Sequence, residues 1–269
     1  MAKIRQVHDM KVLDVENIYM IFNGLKAVDN VSIYAKRGEL LGLIGPNGAG
    51  KTTIFNMLTG VYVPTSGKIV FVNNHNKELL VNGVKPYKVS RFGVSRTFQN
   101  IRLFKELTVL DNMLISMHKD VAYSIFGAIL KSNKYLETEQ KFYDNAMKIL
   151  ETVGLAAKKN ELASNLPYGE QRKLEIARAI ATGADIVFLD EPAAGMNPSE
   201  TEELANLILE LKKAYGLTIL LIEHDMKFVM KICERIYVLD FGVLIAEGTP
   251  NEIQSNPNVI KAYLGEEIG

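Results

Sequence analysis

The sequence predicts an α/β fold, in which the buried strands of a sheet are accompanied by half-exposed strands and by a mostly helical inserted subdomain. Three short apolar runs, Leu40–Ile44, Ile186–Leu189 and Thr218–Ile222, have the length and composition of buried strands. The first run leads into a glycine-rich stretch, and the other two end in charged residues. Ligands of open α/β sheets bind where the carboxyl ends of the strands meet. We therefore expect these three strand ends to form one site.

The first hundred residues contain several candidate strands. Apolar and polar residues alternate, or follow a turn at Pro64–Gly67, in three segments that predict strands: Val12–Ile18, Val28–Tyr34 and Lys68–Val72. A short helix is predicted over Pro86–Phe92. The strand predicted over Val94–Phe98 ends in Gln99.

Helical spacing dominates from about residue 100 to 165, which predicts the inserted subdomain. The helix predicted over Tyr135–Val153 places five apolar residues on one face: Phe142, Ala146, Ile149, Leu150 and Val153. Ser124–Ile129 is unusually apolar for a surface insert, and is either core or an exposed patch for a membrane partner. We divide the single domain into a core of residues 1–99 and 166–248, the helical subdomain of 100–165, and a tail of 249–269.

The second half of the chain returns to an α/β pattern. Helices are predicted over Glu170–Thr182 and Glu200–Tyr215, where apolar residues recur at helical spacing. Arg235–Asp240 and Val243–Glu247 predict a hairpin. The tail contains two prolines that begin short helical turns, Pro250 and Pro257.

The composition is that of an ordinary globular protein. The 269 residues are 48% hydrophobic, and 31 basic side chains balance 31 acidic ones, so a nucleic-acid surface is not expected. Cys233 is the one cysteine, which excludes an internal disulfide and suggests a reducing compartment and a buried thiol. The N-terminus lacks the apolar segment of a signal peptide. Val121–Leu130 is about half the ~20 residues of a membrane span, so a soluble protein is expected.

The glycine-rich stretch is a phosphate-binding loop with the pattern G-x-x-x-x-G-K-[ST]. Its residues are Gly45, Pro46, Asn47, Gly48, Ala49, Gly50, Lys51, Thr52 and Thr53. Glycines allow backbone N–H groups to surround a phosphate, and the helix that follows favours negative charge at its N-terminus. Lys51 is expected to reach the β- and γ-phosphates, and the Thr52 hydroxyl to bind Mg²⁺. A chance match is the alternative, but the strand before the loop and the helix after it argue against one.

The two remaining strand ends supply candidate catalytic groups. Asp190 and Glu191 follow one buried strand, and an acid in that place beside a phosphate loop binds the nucleotide's Mg²⁺. We expect Asp190 to be this acid and Glu191 to act as the general base for an attacking water. His224 follows the other strand, where it is expected to sense the γ-phosphate. The alternatives are a solvated acidic turn and a structural histidine.

The chain resembles the ATPase subunits of ABC transporters over nearly its whole length, from about Leu13 to Gly265. The phosphate loop, Gln99, the segment Leu166–Arg178, Asp190-Glu191 and His224 follow in that family's order and spacing. The resemblance implies an α/β nucleotide-binding core with an antiparallel β lobe and an inserted helical subdomain. It implies ATP hydrolysis with ATP and Mg²⁺ as cofactors. It implies that Phe22 stacks on adenine and that Gln99 links the Mg²⁺ site to the helical subdomain. It also implies that a signature loop contacts nucleotide: Leu166, Pro167, Tyr168, Gly169 and Glu170.

Three segments and the C-terminal end resemble one particular subfamily of these ATPase subunits. Thr97–Phe104, Tyr168–Arg178, Glu191–Pro198 and the stretch from Gly248 to Gly265 are similar to importer ATPases for branched-chain amino acids. This implies permease subunits as partners, through a groove near Gln99, and an indirect link to an extracytoplasmic solute-binding protein. It implies a dimer with a sister ATPase subunit or with a second copy, peripheral on the cytoplasmic face of the membrane. Related subunits serve urea or amide uptake and lipopolysaccharide export.

Two positions depart from the general pattern of the ABC family. The signature usually reads Leu-Ser-Gly-Gly-Gln, but here Pro167 replaces the serine and Tyr168 the first glycine. Proline has neither a hydroxyl nor an N–H to donate to a partner's γ-phosphate. Asn197 stands where an aspartate usually ends the loop after the catalytic glutamate. Both departures concern the half of the site that one subunit offers to the other.

Two other classes of ABC protein compete with the transporter interpretation. DNA-repair and translation ATPases of the family carry long coiled-coil inserts or two tandem cassettes, and this sequence has neither. A regulatory nucleotide-binding module without turnover has no need of a general base, so Glu191 argues against it.

Overall fold

A computed structural model describes residues 10–118 and 132–264. The chain divides into two compact units. The first consists of Met1–Gln99 with Asp185–Gly269, and the second of Asn100–Ala184. The apolar segments Ser124–Ile129 and Val121–Leu130 lie outside the described residues.

The strands carry the labels β1 to β10 in chain order. They are β1 Lys11–Phe22, β2 Leu25–Lys36, β3 Leu40–Ile44, β4 Ser66–Val72, β5 Glu78–Leu80, β6 Val94–Arg96, β7 Ile186–Asp190, β8 Thr218–Ile222, β9 Arg235–Asp240 and β10 Val243–Gly248.

The α-helices are numbered in the same way. They are α1 Lys51–Leu58, α2 Pro86–Phe92, α3 Val109–Met117, α4 Asn133–Thr152, α5 Tyr168–Ala181, α6 Pro198–Tyr215, α7 Met226–Ile232, α8 Pro250–Gln254 and α9 Pro257–Leu264.

A six-stranded sheet in the order β10-β9-β3-β8-β7-β6 forms the centre of the first unit. Its strands run parallel except for β10, which pairs antiparallel with β9 as the predicted hairpin. Every residue of β3, β7 and β8 is buried, which explains why these strands are apolar apart from Asp190 at the end of β7 and Thr218 at the start of β8. Asp190 pairs with Ile222, and Leu43 also pairs with Ile222. The three expected strand ends therefore lie at one edge of the sheet.

A second sheet of the first unit, in the order β2-β1-β4-β5, is antiparallel. Its inward residues, among them Leu13, Ile33 and Phe71, join one hydrophobic core with Phe55 and Phe188 of the α/β part. This is the predicted antiparallel lobe, and it packs on the helix that follows the phosphate loop. Strand β5 has only three residues, and the sequence did not indicate it.

The second unit is helical. Helix α3 packs on α4 and α5, and α4 packs on α5. The sequence analysis ended the helical subdomain at residue 165, whereas this compact unit continues through α5 to Ala184. The difference arises because α5 turns an apolar face to the other helices of its unit, with Leu174 and Ala177 fully buried.

Two further expectations concern single segments. Cys233 is buried, as the sequence analysis expected of a structural thiol, and burial raises the pKa of this thiol. Among the described residues, no helix combines the length and apolar character needed to cross a bilayer.

Candidate nucleotide-binding site

The phosphate loop connects the end of β3 to the start of α1. Its backbone depends on Gly45, whose φ of 149° accompanies a close approach to β9. A Cβ at Gly45 would lie 2.0 Å from the carbonyl oxygen of Leu239, so any larger residue would push the loop off the sheet. The loop is also bound to the β9–β10 turn, because Gly242 N–H donates a hydrogen bond to Ala49 O at 3.0 Å.

Lys51 is the charged group of the loop, and its residue is only 8% exposed. Its Nζ donates to the carbonyl oxygens of Gly45 and Pro46, both at 2.7 Å. Burial lowers the pKa of Lys51, and the nearby carboxylates of Glu191 and Asp190 oppose that shift. The ammonium thus lies within the loop, close enough to both acids for them to influence its charge.

An open cavity of about 380 Å³ borders the loop. Its lining combines Gly48–Thr53 with the start of β2, which contributes Leu25, Lys26 and Ala27, and with the β9–β10 turn, which contributes Phe241. Thr52 is exposed, whereas Thr53 is partly buried. Phe22, the expected adenine-stacking residue, is partly exposed and meets Tyr62 edge-on, with ring centroids 5.5 Å apart. The sequence analysis did not identify Tyr62 or Phe241.

Asp190, the expected metal-bound acid, is buried and paired with an arginine. Arg96 donates from Nη2 to Asp190 Oδ2 at 2.6 Å and from Nη1 to Asn56 Oδ1 at 2.7 Å. The guanidinium lies over the rings of Phe55 and Phe98 at 5.5 and 5.4 Å. Arg96 therefore fixes one oxygen of the Asp190 carboxylate. The sequence analysis missed Arg96, which lay in the middle of the strand predicted over Val94–Phe98, whereas β6 ends at Arg96 in the structure.

Glu191, Gln99 and His224 meet at the same sheet edge. Gln99 Nε2 donates to Glu191 Oε2 at 2.9 Å, and His224 Nδ1 lies 3.8 Å from that oxygen. Glu191 has a φ of 46°, which is uncommon for a residue with a side chain, and its N–H donates to Ile222 O at 2.9 Å. The imidazole of His224 is exposed. The structure thus brings together the expected base, the expected γ-phosphate sensor and Gln99.

The oxygen atoms of Thr52, Asp190 and Gln99 suit a hard cation such as Mg²⁺, which takes few protein ligands and keeps several waters. An amide can ligate only through its oxygen, and the nitrogen of Gln99 is the atom engaged by Glu191. Clusters of three or more His, Cys, Asp and Glu suited to a metal do not occur in the described parts of the chain. The donor set therefore resembles a nucleotide-associated Mg²⁺ site rather than a dedicated metal cage.

The expected signature segment belongs to the helical unit, at the start of α5. Leu166 is buried, and its carbonyl oxygen accepts from Gln171 Nε2 at 2.8 Å. Pro167 precedes the first turn and provides no side-chain cap. The Glu170 carboxylate accepts from Lys158 Nζ at 2.7 and 2.8 Å, and this hydrogen bond raises the pKa of Lys158. Tyr168 is exposed and Gly169 is partly exposed.

Comparisons with known proteins agree with the motifs. The family model described as "ABC transporter" matches residues 28–194, which is more than half of the chain. A second model, "Branched-chain amino acid ATP-binding cassette transporter", matches residues 243–268.

Named relatives match almost end to end. The high-affinity branched-chain amino acid transport ATP-binding protein LivG of Salmonella typhimurium is 49% identical, over 95% of this chain and 98% of that protein. BraF of Pseudomonas aeruginosa, named for the same transport, is 45% identical over the same shares of both chains.

Solved structures of ATP-binding cassettes from ABC transporters also match the chain. The ADP conformation of the cassette MJ1267 superimposes with a TM-score of 0.81 at 34% identity, and covers 96% of this chain and 100% of its own. These matches confirm the predicted α/β cassette fold and the resemblance drawn from the motifs. The chain belongs to the ABC transporter family, as one of its ATP-binding ATPase subunits.

Proposed function

We propose that this chain hydrolyses ATP to power the import of branched-chain amino acids. The observation that carries the choice of solute is the near end-to-end likeness, at 49% identity, to an ATP-binding protein named for branched-chain amino acid transport. The match of residues 243–268 to a branched-chain family model supports the same choice from a different part of the chain.

The catalytic assignment follows from the charges at the sheet edge. Lys51 and the backbone N–H groups of the phosphate loop neutralise the β- and γ-phosphates, and most of the catalysis is positioning and charge stabilisation. Glu191 accepts the proton of the attacking water, while His224 contacts the γ-phosphate. Support comes from the 3.8 Å separation of the Glu191 carboxylate and the His224 ring, which leaves both groups able to face one reacting phosphate.

Phe22 stacks on the adenine ring in this proposal. Its ring is partly exposed, and Tyr62 supports it edge-on without covering it. Thr52, Asp190 and Gln99 hold Mg²⁺, which neutralises charge that develops on the phosphate oxygens. The loop of Leu166, Pro167, Tyr168, Gly169 and Glu170 faces the nucleotide of a second ATPase subunit.

The partners follow from membership in the family. An ATP-binding subunit of an ABC transporter works with membrane permease subunits and as a dimer of cassettes. We propose that the second cassette is a sister ATPase or another copy of this chain, and that the permease links it to an extracytoplasmic solute-binding protein. Since ATP is supplied inside the cell, the chain works at the cytoplasmic face of the membrane.

Uptake by cells tests this function. In bacteria that lack this chain, its gene should restore uptake of radiolabelled leucine, whereas Lys51→Ala should not. The substitution removes a charge-assisted contact worth about 1.5–3 kcal/mol, or about one to two decades in the dissociation constant for ATP. Lys11→Ala, an exposed lysine of β1, is the matched control and should support full uptake. Restored uptake of urea without leucine would overturn the choice of solute.

A further inference from the structure

Glu223 is a buried carboxylate for which the motifs give no role. It follows β8 directly, between Ile222 and His224, and it is only 1% exposed. Burial raises the pKa of this carboxyl, while three backbone N–H groups oppose the shift. Within the described residues, no cation lies at hydrogen-bond distance from Glu223. These N–H groups therefore offset the cost of burying its charge.

The two oxygens of Glu223 hold two different loops. Oε1 accepts from the N–H of Ala193 at 2.9 Å. Oε2 accepts from the N–H of His224 at 2.9 Å and of Asp225 at 3.3 Å. One carboxylate therefore bridges the loop that begins at Glu191 and the loop that carries His224.

The bridged loops present the two groups that act on the γ-phosphate in the proposed function. Ala193 lies two residues after Glu191, whose own N–H is held by Ile222 O at 2.9 Å. His224 Nδ1 lies 3.6 Å from Glu223 Oε2 and 3.8 Å from Glu191 Oε2. The imidazole is exposed, so few packing contacts restrict it, and its backbone is what the fold fixes. The carboxylate of Glu223 sets where that backbone lies relative to the loop of Glu191.

We propose that Glu223 is a positioning residue for ATP hydrolysis. Its carboxylate fixes the loops of Glu191 and His224 relative to each other and does not touch the nucleotide. Only an acceptor with two oxygens can satisfy both loops at once. An amide at this position would turn its NH₂ group toward one of the loops, where a donor would face a donor. This inference rests on the proposed function for its catalytic consequence, but the bridge itself is a property of the nucleotide-free chain.

Glu223→Gln tests the proposal, with Glu39→Gln as the matched control. Glu39 is also a buried carboxylate, held by Arg235 at 2.8 and 3.0 Å, but it precedes β3 at the end remote from the phosphate loop. We expect Glu223→Gln to lower kcat by about tenfold to a hundredfold, the scale of a small misplacement of reacting groups. KM for ATP should stay within about twofold, since the phosphate loop is unchanged. Glu39→Gln should keep kcat.

Two further measurements separate positioning from general stability. In the His224→Ala background, Glu223→Gln should lower kcat less than in the wild type, because one of the two groups that it positions is gone. In the nucleotide-free chain, which contains four histidines, the ring signals of His224 in NMR spectra should move in Glu223→Gln and not in Glu39→Gln. If Glu223→Gln does not fold, Glu223→Asp, which is one methylene too short to reach both loops, replaces it with the same expectations.

An unchanged kcat in folded Glu223→Gln, or equal losses in the two glutamine variants, would overturn the proposal. So would a His224 ring signal that stays in place. If the wild-type chain fails to hydrolyse ATP, the proposed function fails, while the NMR measurement still decides whether Glu223 positions His224.

Discussion

At the scale of single residues, Arg96 pairs with the buried carboxylate of Asp190. Its side chain and that of Asp190 are 10% and 8% exposed, so solvent screens their ion pair very little. The guanidinium also donates to Asn56 and lies over two phenylalanine rings. Arg96 thus neutralises the acid that is expected to bind Mg²⁺, and leaves its second oxygen to face other ligands.

Arg96→Ala should strongly destabilise the chain, because it leaves the Asp190 carboxylate buried without its cation. Removing one partner of a buried pair costs about 3–5 kcal/mol in the free energy of unfolding. Urea denaturation measures this loss. In the double variant Arg96→Ala with Asp190→Asn, part of the stability should return, since no unpaired charge remains. A loss below about 1 kcal/mol for Arg96→Ala would contradict the account, since that is the value of a solvent-exposed pair.

The residues that belong to recognisable motifs were located from the sequence. Arg96 and Glu223, which hold those residues or their loops, were missed. Lys51, Asp190, Glu191 and His224 stand at fixed places after apolar strands, so their position in the fold followed from pattern alone. Arg96 and Glu223 adjoin the same strand ends. Their partners, Asp190 and Ala193, are distant in sequence, so the contacts that give them a role could not be read from spacing.

At the scale of elements, Asn197 has a structural role that the family comparison did not suggest. It is the N-cap of α6, and its side chain accepts from Glu200 N–H at 3.0 Å. The Glu200 carboxylate in turn accepts from Asn197 N–H at 3.0 Å, which completes a capping box. The residue that departs from the usual aspartate therefore still performs the cap that an aspartate could supply.

Asn197→Ala should lower the free energy of unfolding by about 0.5–2 kcal/mol, because the first turn of α6 loses its side-chain acceptor. Asn197→Asp should be close to neutral, since asparagine and aspartate cap helices about equally well. Thermal denaturation of the two variants beside the wild type measures the difference. Equal stability of the alanine and aspartate variants would show that the cap contributes nothing.

Some short elements were predicted with the bounds that the structure has, and others were not predicted. The strand predicted over Thr218–Ile222 and the helix over Pro86–Phe92 have the bounds seen in the structure. Helix α7 was not predicted, because it lacks an initiating proline such as the one that marks the start of α2. Strand β5 exists because β4 offers it a pairing edge, and three residues carry no periodicity of their own.

At the scale of the whole molecule, the limits of the helical unit depend on packing that the sequence does not display. Helix α5 follows the expected signature loop, so the sequence analysis assigned it to the α/β core. Its contacts lie with α3 and α4, and its buried Arg172–Glu175 ion pair, at 2.7 Å, belongs to the helical unit. Membership of a helix in one unit or another is decided by its partners, and these are distant along the chain.

The helical unit also carries Phe104, which we propose as part of the surface that docks on the permease. Phe104 is 47% exposed, and the Arg178 guanidinium covers one face of its ring at 4.9 Å. Its backbone is fixed by Asn112, which accepts from Phe104 N–H at 3.0 Å and donates to its carbonyl oxygen at 2.9 Å. The ring is thus held in place while part of its apolar surface stays open to a partner.

Phe104→Ser should weaken assembly with the permease and leave nucleotide binding intact. Co-purification with tagged permease subunits measures assembly, and titration with a fluorescent ATP analogue measures binding. Tyr87→Ser, which removes an exposed aromatic ring of α2, is the control and should assemble normally. Loss of the folded state in Phe104→Ser would show that this residue is core, and the docking role would fail.

The central claim is that this chain binds ATP through its phosphate loop and cleaves it with Glu191 as the base. Glu191→Gln preserves the size of the side chain and its hydrogen bond with Gln99, but the amide cannot accept a proton from water. The decisive measurement is ATP hydrolysis by Glu191→Gln, beside ATP binding by the same protein. The account predicts a fall in kcat of about 10²–10⁴-fold, the contribution of a general base, with ATP affinity retained. Hydrolysis near the wild-type rate would contradict it.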